Sequence, residues 1–261
     1  MEAGDVLTAA GVGFLAGCGV LEVPVYRRPR VAVIATGSEL VPPSEVPGPG
    51  KIRNSNSYAM AACAREAGAE AVMLPIVQDT FEALRDAVAA AAREYDLVVT
   101  TGGAANGDFD FIKPVVAELG ELMMTTVNIR PGKAQTFGMV EGTPVFGLPG
   151  NPAAAYVGFQ LLIRPALRTM QGYRFMDHPV VKARLTADEK NRDPRRIYLR
   201  ANLTRTAEGY EVTPAKNQSS GLFGPIQKTN CLAVMPEGTA PQPAGSIVDC
   251  LLLDIPEEVV L

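Results

Sequence analysis

Thr100-Thr101-Gly102-Gly103-Ala104-Ala105-Asn106-Gly107-Asp108-Phe109-Asp110 is the stretch from which the rest of the chain can be read. The apolar run Leu97-Val98-Val99 just before it has the composition of a buried strand, and a helical pattern begins at Phe111. Between them lie Gly102, Gly103 and Gly107 with the carboxylates of Asp108 and Asp110. Such a loop can hold backbone N–H groups against an anion. An ordinary strand-to-helix turn also uses glycine and aspartate, for positive φ and for capping, so on this stretch by itself both readings stand.

Working outward, strand-like and helix-like segments alternate from Pro29 to Tyr173. Arg30 to Thr36 is a β-branched run closed by Gly37, as a buried parallel strand would be. Pro42 to Gly50 is loop by its prolines and glycines. Asn54 to Ala67 carries Ala59, Ala62, Cys63 and Ala67 at helical spacing, with Gly68 as the terminating residue. A strand over Ala71–Val77 precedes a helix capped by Asp79 or Thr80, with Phe81, Leu84, Val88 and Ala91 on one face. Further strands are expected over Leu97–Thr100, Leu122–Val127, Phe137–Val140 and Pro144–Gly147, and helices over Ile112–Leu119 and Pro152–Thr169. This alternation predicts an α/β domain with a mostly parallel sheet covered on both faces. Ligands of such sheets bind beyond the carboxyl ends of the strands.

After Tyr173 the texture changes to short alternating segments punctuated by Gly and Pro: Val180–Leu185, Arg196–Leu203, Tyr210–Pro214, Cys231–Met235 and Ser246–Leu253. A small barrel or sandwich follows from that spacing. The expected organisation is 1–28 as linker or the end of a preceding domain, 29–174 as the α/β domain, and 175–261 as the β domain. At 261 residues, a larger and a smaller domain are the natural division.

Net charge −4 argues against nucleic-acid binding. Cys18, Cys63, Cys231 and Cys250 are widely spaced and read as reduced, buried residues of a cytoplasmic protein. His178, the one histidine, sits in an apparent linker, so a histidine-based zinc site and a Ser-His-Asp triad both lack parts. Any metal would be a hard cation on oxygen ligands. The apolar segment Val6–Leu21 has no basic flank and is shorter than the roughly 20 residues of a spanning helix. It reads as a packed helix and turn, and no membrane partner is expected.

Four loops follow expected strands: Thr36-Gly37-Ser38-Glu39-Leu40, Thr101 to Asp110, Ile129-Arg130-Pro131-Gly132-Lys133, and Gly147-Leu148-Pro149-Gly150-Asn151-Pro152. In the last, Asn151 suits an N-cap and Pro152 the first helical turn, leaving free N–H donors as an anion site. Arg130 and Lys133 add positive charge. Glu39, Asp108 and Asp110 offer oxygen ligands to a divalent ion bridging a phosphate. Solvated surface charge at Arg130 and Lys133, and a helix cap at Asp110, are the alternatives. GxxxxGK[ST] is absent, and Gly11-Val12-Gly13 does not extend to GxGxxG, so neither nucleotide fingerprint is present.

Taken together, these loops resemble the molybdopterin molybdenumtransferase family, the MoeA and gephyrin E-domain proteins. The motifs are Thr36 to Leu40 (TG-x-EL), Ile52 to Tyr58 with Ser55 and Asn56 (I-x-x-SN), Thr101 to Asp110 (TGG-x-S-x-G-x-x-D), Arg130 to Lys133 ([KR]-PGK) and Gly147 to Pro152 (GLPGNP). Tyr198-Leu199-Arg200, Gln218-Ser219-Ser220 and Asn230 are similar to the family's C-terminal β-barrel domain. The resemblance implies a three-layer α/β/α domain followed by that barrel. It further implies insertion of molybdate into adenylylated molybdopterin with Mg2+-assisted cleavage of the adenylate, in a homodimer. Catalytic roles fall on Asp110, Arg130 and Glu39, and metal binding on Asp110 and Asp108. The pterin and oxyanion would contact Thr36, Gly37, Ser38, Ser55, Asn56, Gly102, Gly103, Gly107, Pro131, Gly132, Lys133, Pro149, Gly150, Asn151, Pro152, Arg200, Ser219 and Ser220.

Three positions depart from the pattern: Ser38 stands where relatives have Asp or Asn, Ala105 where they have Ser, and Thr126 where they often have Lys. Full-length relatives also carry roughly 150 residues before this point, a size consistent with one further domain. A non-catalytic pterin-binding or scaffold relative is the alternative reading. A molybdopterin adenylyltransferase is a third, disfavoured by the C-terminal β domain.

Overall fold

The computed structural model describes residues 1–102, 111–190, 193–238 and 240–253. In chain order its elements begin with α1 (Ala9–Gly17), β1 (Arg30–Ala35), β2 (Leu40–Val41), β3 (Ile52–Arg53), α2 (Asn56–Glu66), β4 (Glu70–Met73), α3 (Phe81–Glu94) and β5 (Leu97–Thr101). They continue with α4 (Ile112–Leu119), β6 (Gly120–Met124), β7 (Ile129–Arg130), β8 (Thr136–Val140), β9 (Thr143–Leu148) and α5 (Pro152–Gly158). A π-helical stretch, Phe159–Ile163, joins α5 to α6 (Arg164–Met170). The last elements are β10 (Val180–Leu185), β11 (Arg196–Thr206), β12 (Gly209–Pro214), α7 (Gly224–Gln227), β13 (Cys231–Met235) and β14 (Ile247–Leu252).

The first sheet has the order β4-β1-β5-β9-β8-β6. β4, β1, β5 and β9 are mutually parallel, and β8 and β6 run antiparallel at one edge. Because side chains alternate along a strand, β1 places Val31 and Val33 in one apolar layer and Ala32 and Ile34 in the other. The first layer is closed by Met60, Ala61 and Ala64 of α2 with Phe159, Ile163 and Leu167. The second is closed by Leu84 and Val88 of α3 with Ile112, Val115 and Val116 of α4. Burial of each of these larger side chains contributes roughly 1.5–3 kcal/mol. The three-layer α/β/α architecture is thus that expected from the alternating strands and helices.

β11, β12, β10, β14 and β13 close into a barrel, since β12 pairs both with β10 and with β11. Its interior holds Leu185, Leu203, Val212, Cys231, Met235 and Cys250. β7 does not belong to the first sheet: Ile129 and Arg130 pair in parallel with Arg196 and Ile197 of β11. The segment bearing Arg130 therefore leaves the α/β domain and becomes a sixth strand beside the barrel. A small apolar cluster, Ile129, Val157, Tyr198 and Leu232, fills the space between the two sheets.

Several expectations are corrected. The helix within Val6–Leu21 is capped by Thr8 Oγ1 on the Gly11 N–H at 3.2 Å, but none of its residues is buried. It is apolar all round and faces solvent, and Cys18 at its end is exposed. The expected strands Ala71–Val77 and Leu122–Val127 are Glu70–Met73 and Gly120–Met124, with Val77 returning to the sheet edge only as an isolated bridge to Thr36. Thr80 caps α3, its Oγ1 accepting from Ala83 N–H at 3.3 Å, so Asp79 is released from that role. His178 is buried, its Nε2–H donating to Gln160 Oε1 at 2.8 Å.

Candidate functional site

The carboxyl ends of β1, β5 and β9 lie side by side, and the antiparallel pairing of β8 with β9 brings the segment before Thr136 to the same rim. All four loops singled out in the sequence therefore start from one edge of the sheet. Their closeness is built into the backbone. Gly102 has φ +94°, and a Cβ on it would fall 2.0 Å from the Thr36 carbonyl oxygen, so only glycine fits. Gly150 faces the Gly102 Cα, with a would-be Cβ contact of 3.6 Å. Asn56 Nδ2 donates to the Gly150 carbonyl at 2.9 Å. Thr36, Gly102, Gly150 and Asn56 thus form one stitched line, and Asn56 holds the loop in place from beneath. Ser55 is exposed and makes no cap bond; the adjacent Asn54 Oδ1 accepts from Ser57 N–H at 3.2 Å and does that work.

Two recesses open from this rim. The smaller, about 460 Å³, is lined by Gly37, Ser38, Leu40, Val77, Asp79 and Thr80. Thr36 Oγ1 donates to Asp79 Oδ1 at 3.3 Å. Burial pushes the Asp79 carboxyl up from the usual range, the Thr36 bond opposes this, and the charge of Glu39 adds to it. Asp79, a helix cap by its sequence context, is a rim carboxylate in the fold. Its position two residues past Val77, which bridges to Thr36 at the rim, is the signal that places it there. Gly103, Gly107, Asp108 and Asp110 lie outside the described residues. Among the described residues no group of three or more His, Cys, Asp or Glu side chains converges on one point.

The larger cleft, about 830 Å³, lies between the α/β rim and the barrel. From the first come Arg130, Pro131, Gly132, Lys133, Pro149 and Asn151; from the second come Arg195, Arg200, Gln218, Ser219 and Ser220. Pro152 opens α5 at this wall. The start of α5 differs from expectation: the Asn151 side chain makes no cap bond, and the Ala153 N–H donates to the Ser220 carbonyl at 2.8 Å. Part of the anticipated donor cluster is therefore spent on joining the helix to the barrel loop.

Arg200 is the central cation. It is 2% exposed, Nη2 donates to the Ser219 carbonyl at 3.2 Å, and Nε has no partner among the described residues. Gln218 clamps its backbone from both sides, accepting from Arg200 N–H at 3.1 Å and donating to Arg200 O at 2.8 Å. Burial, and then the nearby charge of Arg130, lower its guanidinium to about 10. A buried guanidinium needs an anion to offset its desolvation. Among the described residues, no carboxylate pairs with it.

Residues 32–169 match the probable molybdopterin binding domain. The chain belongs to this molybdopterin-binding family. Residues 182–253 match the MoeA C-terminal region, domain IV, so the barrel and the rim are matched separately and in family order. The chain is 36% identical to the molybdopterin molybdenumtransferase of Staphylococcus epidermidis over 272 residues, covering all of this chain and 65% of that protein. It is also 36% identical to the Staphylococcus aureus enzyme of the same name, of which it covers 63%. A crystal structure of the molybdopterin biosynthesis MoeA protein from Pyrococcus horikoshii is similar at a TM-score of 0.84 and 31% identity, over 97% of this chain and 61% of that one. The chain thus spans a little under two thirds of these relatives. Among the described residues, no helix is long and apolar enough to cross a membrane.

Proposed function

We propose that the chain is the part of a molybdopterin molybdenumtransferase that binds the pterin and inserts molybdate, with adenylylated molybdopterin and molybdate as its substrates. The observation that carries the reading is Arg200: a buried guanidinium without a carboxylate partner among the described residues, in a cleft that also holds Arg130, Arg195 and Lys133. That charge suits an oxyanion, and Ser219, Ser220, Pro149 and Asn151 offer small polar and apolar walls to the pterin phosphate. Thr36, Gly37, Ser38 and Gly102 lie along the adjoining rim, where the adenylate would run. The backbone there comes close enough to meet a phosphate, because Gly102 carries no Cβ.

The donor set fits Mg2+ better than a softer ion, being oxygen only. Asp79 shows the fit: burial raises its carboxyl from the usual range, the Thr36 bond opposes this and Glu39 adds to it, and a nearby cation would counter the rise. Glu39 and Asp79 would hold the ion, and the sequence motif assigns the same role to Asp108 and Asp110. Bound Mg2+ would neutralise charge on the phosphates of the adenylate. The protein's own part is to hold the phosphates along the rim, keep molybdate against Arg200, and bring both to the dithiolene end of the pterin.

Calorimetric titration with molybdate, and release of AMP from adenylylated molybdopterin with Mg2+, test this reading. Asp110→Asn is expected to lower AMP release by about 100-fold or more while changing ligand affinity by less than about 5-fold; an equally active variant would remove the role assigned to Asp110. The second reading, a pterin-binding protein without turnover, draws on Ser38, which lines the smaller recess at the position where the family pattern has Asp or Asn. Tight binding with no AMP release would favour it.

A further inference from the structure

The cations of the large cleft are not all held in the same way. Arg200 is fixed by burial, whereas the side chains of Arg130 and Arg195 are 56% and 27% exposed. What restrains these two is Asp193, whose side chain is 11% exposed. Arg195 Nε donates to Asp193 Oδ1 at 2.7 Å, Nη2 donates to Oδ2, and the Arg195 N–H donates to Oδ1 at 3.1 Å. Arg130 Nη1 donates to the same Oδ2 at 3.2 Å. Arg195 Nη1 also reaches the Ile129 carbonyl at 3.3 Å. The carboxylate therefore sits at the junction of β7 and β11, gripping Arg130 of β7 and Arg195 just before β11. These bonds leave Arg130 Nε and Nη2 for other partners. A fork held in one orientation loses less freedom when it meets an anion than a free one does.

We propose that Asp193 is a positioning residue of the oxyanion cleft: it fixes the Arg130 and Arg195 guanidiniums so that Arg130 and Arg200 together meet a tetrahedral oxyanion. This rests on the reading of the cleft as an oxyanion site. Asp193 touches no ligand in this arrangement; it sets the shape that the cleft recognises. The opposite role, an internal anion that competes with the ligand for Arg130, predicts the opposite sign on removal.

The test is calorimetric titration of the intact chain at constant ionic strength with molybdate, tetrahedral and dianionic, and with nitrate, planar and monoanionic. In the parent, molybdate is expected to bind far more tightly than nitrate, and Arg200→Gln to abolish that binding. Asp193→Asn, which keeps the size and removes the charge, is expected to weaken molybdate by about 5- to 20-fold. It should also reduce the molybdate-to-nitrate ratio by at least about 3-fold, with Asp193→Glu intermediate in both. Molybdate binding as tight as the parent's, tighter binding, or an equal loss for both anions would overturn the positioning role. A parent that binds no molybdate, or binding indifferent to Arg200→Gln, would overturn the oxyanion reading and this inference with it. Should Asp193→Asn fail to fold, Asp193→Glu decides: parent-like selectivity would overturn the proposal.

Discussion

At the scale of single residues, the two sides of Arg200 make a prediction with opposite signs. Its burial without a carboxylate partner among the described residues is unfavourable for folding, because the desolvation of a charge is only partly offset by one carbonyl bond. Arg200→Met, apolar and of similar length, is therefore expected to keep or raise the thermal midpoint while weakening molybdate binding by about 100-fold or more. Calorimetry on the same two samples measures both; a variant that melts well below the parent would mean that the arginine is structural. Little of this is legible in the sequence. Arg200 can be placed in the cleft only by resemblance, since burial of an alternating residue depends on which sheet covers it. Asp79 and Asp193 escape the sequence for a related reason: neither lies in a glycine-rich loop, and each acquires its meaning from a partner far along the chain, Thr36 or Arg130.

At the scale of elements, the sequence is most readable where a segment's own pattern determines its surroundings. β1 and β5 are continuous apolar runs because both faces are covered, and α3 shows its apolar face every three or four residues. Pattern fails where the environment lies outside the segment, as at α1, and where the element is too short to have a period, as at β7. The stretch between α6 and β10 has the sequence of a linker, yet it carries His178 against Gln160 of the π-helical stretch. Burial, followed by the charge of Arg164, pushes the imidazole down to about 4. The folded state thus binds this proton less tightly than the unfolded chain, whose histidine titrates near 6.5. The stability gained from a neutral His178 is complete above about pH 6.5 and is lost as pH falls from there to about 4. Up to about 3 kcal/mol is involved, since each tenfold difference in proton affinity is worth about 1.4 kcal/mol. Urea melts between pH 7 and 4 should show this loss, and His178→Gln should flatten that part of the curve. A variant that loses stability with acid as steeply as the parent would assign the effect to carboxylates instead.

At the scale of the whole molecule, the cleft exists because one strand crosses from the α/β domain into the sheet of the barrel. β7 leaves the α/β domain, pairs with β11, and brings Arg130 opposite Arg200, while Ile129 on the other face joins Val157, Tyr198 and Leu232 in the cluster that seats the barrel. The same view leaves one surface unexplained. α1 and the segment after it expose Val12, Phe14, Leu21, Val25 and Tyr26, with Leu21 at 94%, and a run of exposed apolar side chains marks an interaction site more often than idle solvent contact. The homodimer that the family resemblance implies would bury it if two copies of α1 met about a twofold axis. Light scattering should then give twice the 27.6 kDa of the chain, with a thermal midpoint that rises with protein concentration. Phe14→Asp places a charge in the centre of that contact and should return the mass to 27.6 kDa, with molybdate affinity unchanged because the cleft is built from other elements. A parent that scatters as a single chain at about 50 µM, a concentration at which a dimer of about micromolar affinity would be mostly formed, would leave α1 to a different partner.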